Sequence, residues 1–301
     1  MRILVIGGGI SNEREVSLKS SRSIFDAIST IHDKFFYDWD GGEQWLNDNL
    51  ANFDVALPIL HGVGGEDGQI QSILEKANIK YLGSDSRSSK ICIDKKATQE
   101  LLKSQNILVP GFGALTYQQY QESDFINKRH VVKPNDGGSS LNTFIDVRPD
   151  DPRSDQIKKA FDTRGSMMVE DFISGVEVTV PVLEGKELPL IEIVPPEGEF
   201  FDYDNKYNGK TQEICPSENV ASDLQKNAQM VAKKAHDILG CRHLSRVDII
   251  IDQRGQMYVL EVNTMPGMTT QSLFPKSAQV SGMSMTGFVD YLIELASNTQ
   301  N

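Results

Sequence analysis

The sequence predicts an α/β protein in which an N-terminal parallel domain is followed by two α+β modules. The chain has 301 residues, enough for two or three domains of about 100–200 residues each. Near the N-terminus a short apolar run, residues 2–7, leads through glycines to a helix start at Asn12, with Glu15 three positions later as in a capping box. The order strand, turn, helix indicates a parallel sheet.

The same alternation continues through the first domain, which we assign to residues 1–84. The predicted elements are a helix through about Ala27, strands near 35–38 and 55–60, and a helix after Asp67.

Two further modules are predicted, at residues 85–176 and 177–301. The central module is predicted from a polar helix starting near Asp94, a strand at 130–133 and a Gly/Ser-rich loop at 135–140. The C-terminal module is predicted from strands at 177–183 and 188–194, a helix at 223–239 before Gly240, a hairpin and a terminal helix. Each segment mixes strands and helices, so both are expected to be α+β.

Composition argues against several classes of protein. A net charge of −12 disfavours a nucleic-acid partner. No stretch approaches the roughly 20 apolar residues of a membrane span, and the first residues lack the pattern of a secretory signal, so we expect a soluble, cytoplasmic protein with no membrane partner. The three cysteines, Cys92, Cys215 and Cys241, have no C-x-x-C spacing, which favours reduced packing residues over disulfides or zinc ligands.

An antiparallel hairpin is predicted at residues 246–252 and 257–263. If Asp252 and Met257 face each other beside the loop, two more facing pairs follow at the open end: Asp248 with Glu261, and Arg246 with Asn263. Two carboxylates opposite each other repel unless a positive charge lies between them. Either a divalent cation such as Mg²⁺ fills that place, or the face is solvated and Arg246 neutralises one acid.

The segment after the hairpin carries a specific resemblance. Residues 261–269, Glu-Val-Asn-Thr-Met-Pro-Gly-Met-Thr, and 272–275, Ser-Leu-Phe-Pro, resemble the C-terminal signature of D-alanine–D-alanine ligases. Residues 8–17 and 61–68 resemble the family's first two motifs, and the resemblance covers nearly the whole chain. It implies an ATP-grasp architecture, in which the two α+β modules clamp ATP; a P-loop motif is absent from the sequence.

The resemblance also implies ligands for the nucleotide and the metal. The ATP-binding positions would be Lys95, Lys133, Ser140, Glu170, Phe172, Ile173, Glu177 and Lys206. The ligands of Mg²⁺, two ions with Mn²⁺ able to substitute, would be Asp248, Glu261 and Asn263. Read without the family, each lysine is more often a solvated surface charge.

Catalytic roles follow from the same resemblance. Glu13 would receive the amino group of the first D-alanine and form a hydrogen-bonded trio with Ser139 and Tyr207. Arg246 and the backbone N–H of Gly267 would stabilise the tetrahedral oxyanion. The remaining substrate-binding positions would be His61, Ser272, Leu273 and Lys276.

The sequence departs from the family pattern in the loop after Lys133. It has Asp136-Gly137-Gly138 where a basic-acidic-glycine run is usual, and Leu141-Asn142 where a second glycine is expected. Loop closure is therefore expected to differ. Phe172 stands where tryptophan is often found and preserves a flat apolar wall.

The implied activity is ATP-dependent joining of two D-alanines through a D-alanyl phosphate, for peptidoglycan precursor synthesis, by a homodimer. The alternatives are a ligase that uses D-lactate or D-serine as second substrate, and a non-catalytic ATP-binding relative. The glycines after the first strand also suggest a dinucleotide-binding oxidoreductase, but Asn12 breaks the G-x-G-x-x-G spacing and the hairpin acids stay unexplained.

Overall fold

The computed structural model describes residues 1–137, 142–201, 205 and 209–299. Its strands form three sheets, one parallel and two antiparallel. The α/β fold class predicted from the sequence is confirmed. Among the described residues, no helix combines the length and apolar character that crossing a membrane requires.

The first sheet is parallel and has the strand order β2-β1-β3-β4. Its strands are β1 (Arg2–Gly8), β2 (Asp33–Trp39), β3 (Val55–Pro58) and β4 (Lys80–Tyr81). The connecting helices are α1 (Arg14–Ala27), α2 (Gln44–Asn49) and α3 (Gln69–Lys76). Strand β1 is buried along almost its whole length, as its unbroken apolar run predicts.

The predicted capping box at the start of α1 is wrong. Glu13, not Asn12, occupies the N-cap position, and its side chain makes no capping hydrogen bond. The hydroxyl of Ser11 instead accepts the Glu13 N–H at 3.1 Å and donates to the carbonyl of His61 at 2.6 Å. A contact with a distant loop therefore sets the helix start in place of a local cap.

The second sheet is antiparallel, with the order β5-β8-β6-β7. Its strands are β5 (Phe112–Leu115), β6 (His130–Lys133), β7 (Phe144–Val147) and β8 (Met167–Asp171). Helices α6 (Tyr117–Gln121) and α7 (Ser154–Arg164) pack on this sheet. The two preceding helices, α4 (Ser86–Ile93) and α5 (Lys95–Ser104), share the apolar core of the third sheet. Asp85 and Asp94 cap α4 and α5, so α5 begins at Lys95.

The third sheet is antiparallel and ends in the predicted hairpin. Its strands are β9 (Gly175–Leu183), β10 (Lys186–Glu187), β11 (Ile191–Val194), β12 (Gln212–Ile214), β13 (Leu244–Asp252) and β14 (Met257–Asn263). Their order is β12-β11-β9-β13-β14, with β10 paired to β9. The helices are α8 (Ser222–Ile238), α9 (Leu273–Val280) and α10 (Met285–Asn298).

Helix α10 packs mainly on the first sheet. Its residues Phe288 and Leu292 share one apolar core with Ile3 and Val55 of the first sheet. The last helix therefore completes the core of the N-terminal domain, although the sequence assigns it to the C-terminal module.

All three cysteines lie in the described part of the chain and are free thiols, as expected. The Sγ atoms of Cys92 and Cys241 are 3.8 Å apart although 149 positions separate them. The hydrogen bond with the Cys241 thiol, together with burial, raises the pKa of Cys92, so the Cys92 thiol is poorly reactive.

Candidate active site

Two adjoining cavities lie where the predicted site residues meet. The larger, about 730 Å³, is lined by residues of the second and third sheets. The smaller, about 240 Å³, is lined by the start of α1, residues near His61 and the loop after β14. Glu13 lines both cavities, so it stands at their junction.

The open end of the hairpin has the predicted pairing: Arg246 faces Asn263, and Asp248 faces Glu261. The predicted pairing beside the loop is wrong, because Ile251, not Asp252, faces Met257. A shift of one residue between Asp248 and Ile249 leaves Leu260 without a partner and restores the register. Such a bulge adds a residue to one strand and has no signature in this sequence.

Arg246 neutralises Asp248 through two parallel hydrogen bonds. Its Nε lies 2.9 Å from Oδ1 and its Nη2 lies 2.7 Å from Oδ2. Burial alone would lower the pKa of Arg246, but the facing Asp248 carboxylate outweighs it and raises the pKa above its ordinary value. Thr179 also donates to Asp248 Oδ1, at 2.5 Å. Arg246 therefore neutralises Asp248, as the alternative without a metal ion requires.

The second carboxylate faces a lysine. The Nζ of Lys95 lies 3.5 Å from Glu261 Oε2 and donates to the carbonyl of Gly137 at 2.6 Å. Lys95 is 7 % exposed, far less than a solvated surface charge. Its position at the start of α5, held by the Asp94 cap, directs it into the cleft.

Lys133 is the second cation of the larger cavity. Its Nζ lies 2.7 Å from Glu170 Oε2. Burial lowers the pKa of Lys133, but Glu170 and Glu261 raise it by more, so the ammonium stays charged. Two buried lysines near paired acids provide positive charge for an anionic ligand that would displace those contacts.

Three more of the positions that the resemblance assigns to ATP binding, Phe172, Ile173 and Glu177, line the larger cavity. The guanidinium of Arg129 lies 4.1 Å from the centre of the Phe172 ring, a cation–π contact. Sequence reasoning did not single out Arg129, since an isolated arginine before a strand has no distinguishing pattern.

The hairpin supplies oxygen atoms suited to Mg²⁺. Asn263 donates its amide nitrogen to Asp248 Oδ2 at 3.2 Å, which leaves the amide oxygen for another partner. Two carboxylates and an amide oxygen fit a small hard cation that takes its other ligands from water and phosphate. Within the described ranges, no group of three or more His, Cys, Asp or Glu side chains could hold a metal ion, and the hairpin set itself has only two carboxylates.

The smaller cavity brings together most of the predicted substrate positions. His61, Arg246, Gly267, Ser272 and Leu273 line it. Among the described residues, Lys276 lines neither cavity, and its Nζ instead lies 3.1 Å from Glu213 Oε2. Ser139, Ser140, Lys206 and Tyr207 lie outside the described residues.

Two titratable groups of the smaller cavity are strongly perturbed. Burial, assisted by the charge of Arg246, lowers the pKa of His61 to about 4, so its imidazole is neutral at pH 7. Burial, with the charge of Glu13 added, raises the pKa of Glu66 to about 8. Glu66 lies within the second motif, residues 61–68, and the resemblance implies no role for it.

The atypical loop after Lys133 has local compensations. Asp136 pairs with Arg164 at the end of α7, at 2.9 Å. Asn142 adopts a positive φ of 58°, a conformation that asparagine tolerates better than other residues with a side chain. It stands next to the position where the resemblance expects glycine.

Known proteins match the chain over nearly its full length, and two family models match large parts of it. The model described as "D-ala D-ala ligase C-terminus" matches residues 101–294, and "D-ala D-ala ligase N-terminus" matches residues 45–84. The chain is 36% identical to D-alanine–D-alanine ligase B of Clostridium perfringens over 99% of both chains. It is 38% identical to the D-alanine–D-alanine ligase of Clostridium beijerinckii over 98% of both.

Solved structures agree with these matches. The ATP complex of the Bacillus anthracis D-alanine–D-alanine ligase superposes with a TM-score of 0.84 at 31% identity, covering 98% of this chain and 97% of that one. The VanG D-Ala:D-Ser ligase of Enterococcus faecalis gives 0.81 at 28% identity, covering 98% and 99%. With both family models, two full-length relatives and an ATP-bound structure in agreement, the chain belongs to the D-alanine–D-alanine ligase family.

Proposed function

We propose that this chain joins two D-alanine molecules in an ATP-dependent reaction through a D-alanyl phosphate, supplying a dipeptide for peptidoglycan precursors. The observation that carries the proposal is the junction of the two cavities. A cleft with buried lysines and paired acids opens beside a pocket that holds Arg246 and Gly267, and Glu13 lines both. An anhydride formed in the first would be within reach of an amine held in the second.

ATP would occupy the larger cavity, as the complex of the Bacillus anthracis relative suggests. Its base would lie against Phe172 and Ile173, and its phosphates would take the ammonium groups of Lys95 and Lys133 from their carboxylate partners. The hairpin oxygens of Asp248, Glu261 and Asn263 would hold Mg²⁺, which offsets negative charge on the transferring phosphate.

The chemistry would run in two steps. A carboxylate oxygen of the first D-alanine, whose ammonium pairs with Glu13, attacks the γ-phosphorus of ATP, and ADP leaves. The amine nitrogen of the second D-alanine, after losing a proton, attacks the acyl carbon, and inorganic phosphate leaves as the amide forms. Arg246 and the Gly267 N–H would stabilise the oxyanion between these events.

D-Serine is the second candidate for the acceptor, because a D-Ala:D-Ser ligase is among the similar structures. The curated relatives named above are D-alanine–D-alanine ligases and are more similar in sequence. A non-catalytic role is disfavoured, because a protein that only binds ATP has no need of the smaller cavity, which holds Arg246.

The proposal is tested by supplying ATP, Mg²⁺ and D-alanine and measuring phosphate release together with dipeptide by mass spectrometry. Equal D-serine and D-lactate are added in a second assay to determine the acceptor. We expect D-alanyl-D-alanine to dominate. ATP binding without phosphate release would support the non-catalytic alternative, and a dominant mixed product would reassign the acceptor.

The proposal also includes a cytoplasmic location, where ATP is available, and a homodimer. The dimer is tested by sedimentation at micromolar concentration, where a monomer mass would contradict it.

A further inference from the structure

The loop that carries Gly267 is held by the N-terminal domain. Residues 264–272, called here the Gly267 loop, join β14 to α9. The N–H of Met265 donates to Glu66 at 3.3 Å, and the N–H of Met268 donates to Ser20 at 3.2 Å. These two contacts bracket Gly267 and come from residues at least 199 positions earlier in the chain.

His61 completes this set and fixes its hydrogen positions. Its Nδ1 lies 2.9 Å from the carbonyl oxygen of Met265, which can only accept, so Nδ1 carries the proton. Because burial keeps the imidazole neutral, Nε2 must accept from the Ser20 hydroxyl, 3.0 Å away. The Ser20 oxygen then uses a lone pair for the Met268 N–H. Each group has one consistent role.

Glu66 joins the same loop to the His61 segment. Its Oε2 accepts the N–H of Gly62 at 2.8 Å, while its Oε1 accepts the N–H of Met265. Ser20, His61 and Glu66 are all buried. Without Glu66, two backbone N–H groups would lose their acceptor at a buried position, which is unfavourable.

We propose that Ser20 and Glu66 are positioning residues for the ligase reaction, which hold the Gly267 loop so that its N–H points at the developing oxyanion. The inference rests on the proposed function. The family resemblance implies no role for either residue. Oxyanion donors must lie about 2.7–3.1 Å from the reacting oxygen, and a displacement of about 1 Å can cost about a hundredfold in rate.

Ser20→Ala is the primary test, and Ser21→Ala is its matched control. Both serines are fully buried on α1, but the Ser21 hydroxyl donates to Leu18 within its own helix at 3.1 Å. Ser20→Ala is expected to lower kcat about 10–100-fold with the KM for ATP changed less than about twofold. Ser21→Ala is expected to retain kcat within about twofold.

A step-resolved measurement separates positioning from general loosening. Acyl phosphate formation is followed by isotope scrambling of bridge-labelled ATP with D-alanine, and dipeptide formation is followed in the same sample. The Ser20→Ala enzyme should catalyse isotope scrambling of ATP at nearly the wild-type rate but form dipeptide slowly. The reason is that the oxyanion forms only in the second step. Equal loss of both rates, or equal rates in the two serine variants, would overturn the proposal.

Glu66→Gln provides an independent second variant. Glutamine keeps one accepting oxygen but turns an NH₂ toward a backbone N–H, so the same split between steps is expected. Glu75→Gln is its control, because Glu75 also accepts a backbone N–H, that of Ser86 at 2.8 Å, but lines neither cavity. If the wild type makes no dipeptide, the proposed function fails. If it does and both Ser20→Ala and Glu66→Gln match it, this inference alone fails.

Discussion

Single side chains in the site carry charges that are held in pairs. Asp248 is bound by Arg246, Glu261 lies near Lys95, and Glu170 is bound by Lys133. Each pair is stable without substrate, and each contains a group that the proposed reaction needs. Substrate binding would therefore exchange existing contacts for new ones, and substitutions should affect turnover more than folding.

Glu261→Gln is expected to lower turnover by about 10²-fold or more, because loss of a metal-binding charge removes several kcal/mol of transition-state stabilisation. The melting temperature should change little, since the Lys95 contact is long at 3.5 Å and the repulsion from Asp248 is relieved. Turnover is measured over a range of Mg²⁺ concentrations. Asp252→Asn, at the loop end of the same hairpin, is the control, and near-normal turnover by Glu261→Gln would refute the metal assignment.

Arg246→Lys is expected to lower kcat severely, by about 10²–10³-fold, although the charge is kept. An ammonium cannot reproduce the two parallel bonds that Arg246 makes to Asp248. ATP affinity, measured by calorimetry, should change less than kcat. Equal losses in both, with an unfolded circular dichroism spectrum, would make Arg246 a structural partner of Asp248 instead.

At the scale of elements, the bulge in β14 shapes the larger cavity. Neighbouring residues of a regular strand face opposite sides of the sheet, yet Leu260 and Glu261 both line this cavity. The extra residue allows an apolar and an acidic group to face the same ligand. The hairpin would thus contribute to the proposed nucleotide site as well as to the proposed metal site.

Leu260→Ala should therefore raise the KM for ATP while leaving kcat nearly unchanged. Loss of its apolar contact corresponds to about 1–2 kcal/mol, or about 5–30-fold in KM. Steady-state kinetics with varied ATP will measure it. Leu224→Ala, on helix α8 and outside both cavity linings, controls for general loosening, and a change in kcat alone would contradict the assignment.

The elements also show where sequence reasoning succeeds and where it stops. The Asp248–Glu261 pair was predicted correctly because the one-residue error beside the loop and the bulge cancel. The start of α1 was predicted wrongly because Ser11 bonds to His61, 50 positions away. Ser20 and Thr179 could not be identified, since their partners are 248 and 69 positions away and the local pattern is ordinary.

For the whole molecule, three histidines, of which His61 and His236 are buried and His243 is half-buried, make stability depend on pH. Burial lowers the pKa of His61, His236 and His243 to about 4 each, against about 6.5 in the unfolded chain. Between these values the unfolded state binds more protons, so the free energy of unfolding falls as pH falls. Glu66 opposes this: its raised pKa keeps a proton on the folded state, which adds stability as pH falls from about 8 toward 4.5.

Urea unfolding should therefore have a lower midpoint at pH 5 than at pH 7. At about 1.4 kcal/mol per pH unit for each group, three histidines against one carboxyl leave a net loss of about 2–4 kcal/mol. His243→Gln should remove one histidine's share of about 2 kcal/mol and so reduce this dependence by more than half. A midpoint that is equal at both pH values would show that these imidazoles accept protons without unfolding.

The position of α10 determines when the first sheet can complete its apolar core during synthesis. Its apolar side chains fill the core beside Ile3 and Val55, yet they are synthesised after the strands of all three sheets. While the ribosome translates the second and third sheets, the strands of the first have already emerged, and the face that α10 will cover is still open. An open apolar face is prone to bind chaperones or to aggregate. The first sheet is therefore expected to complete its core only after α10 has emerged, so its folding would not follow the direction of synthesis.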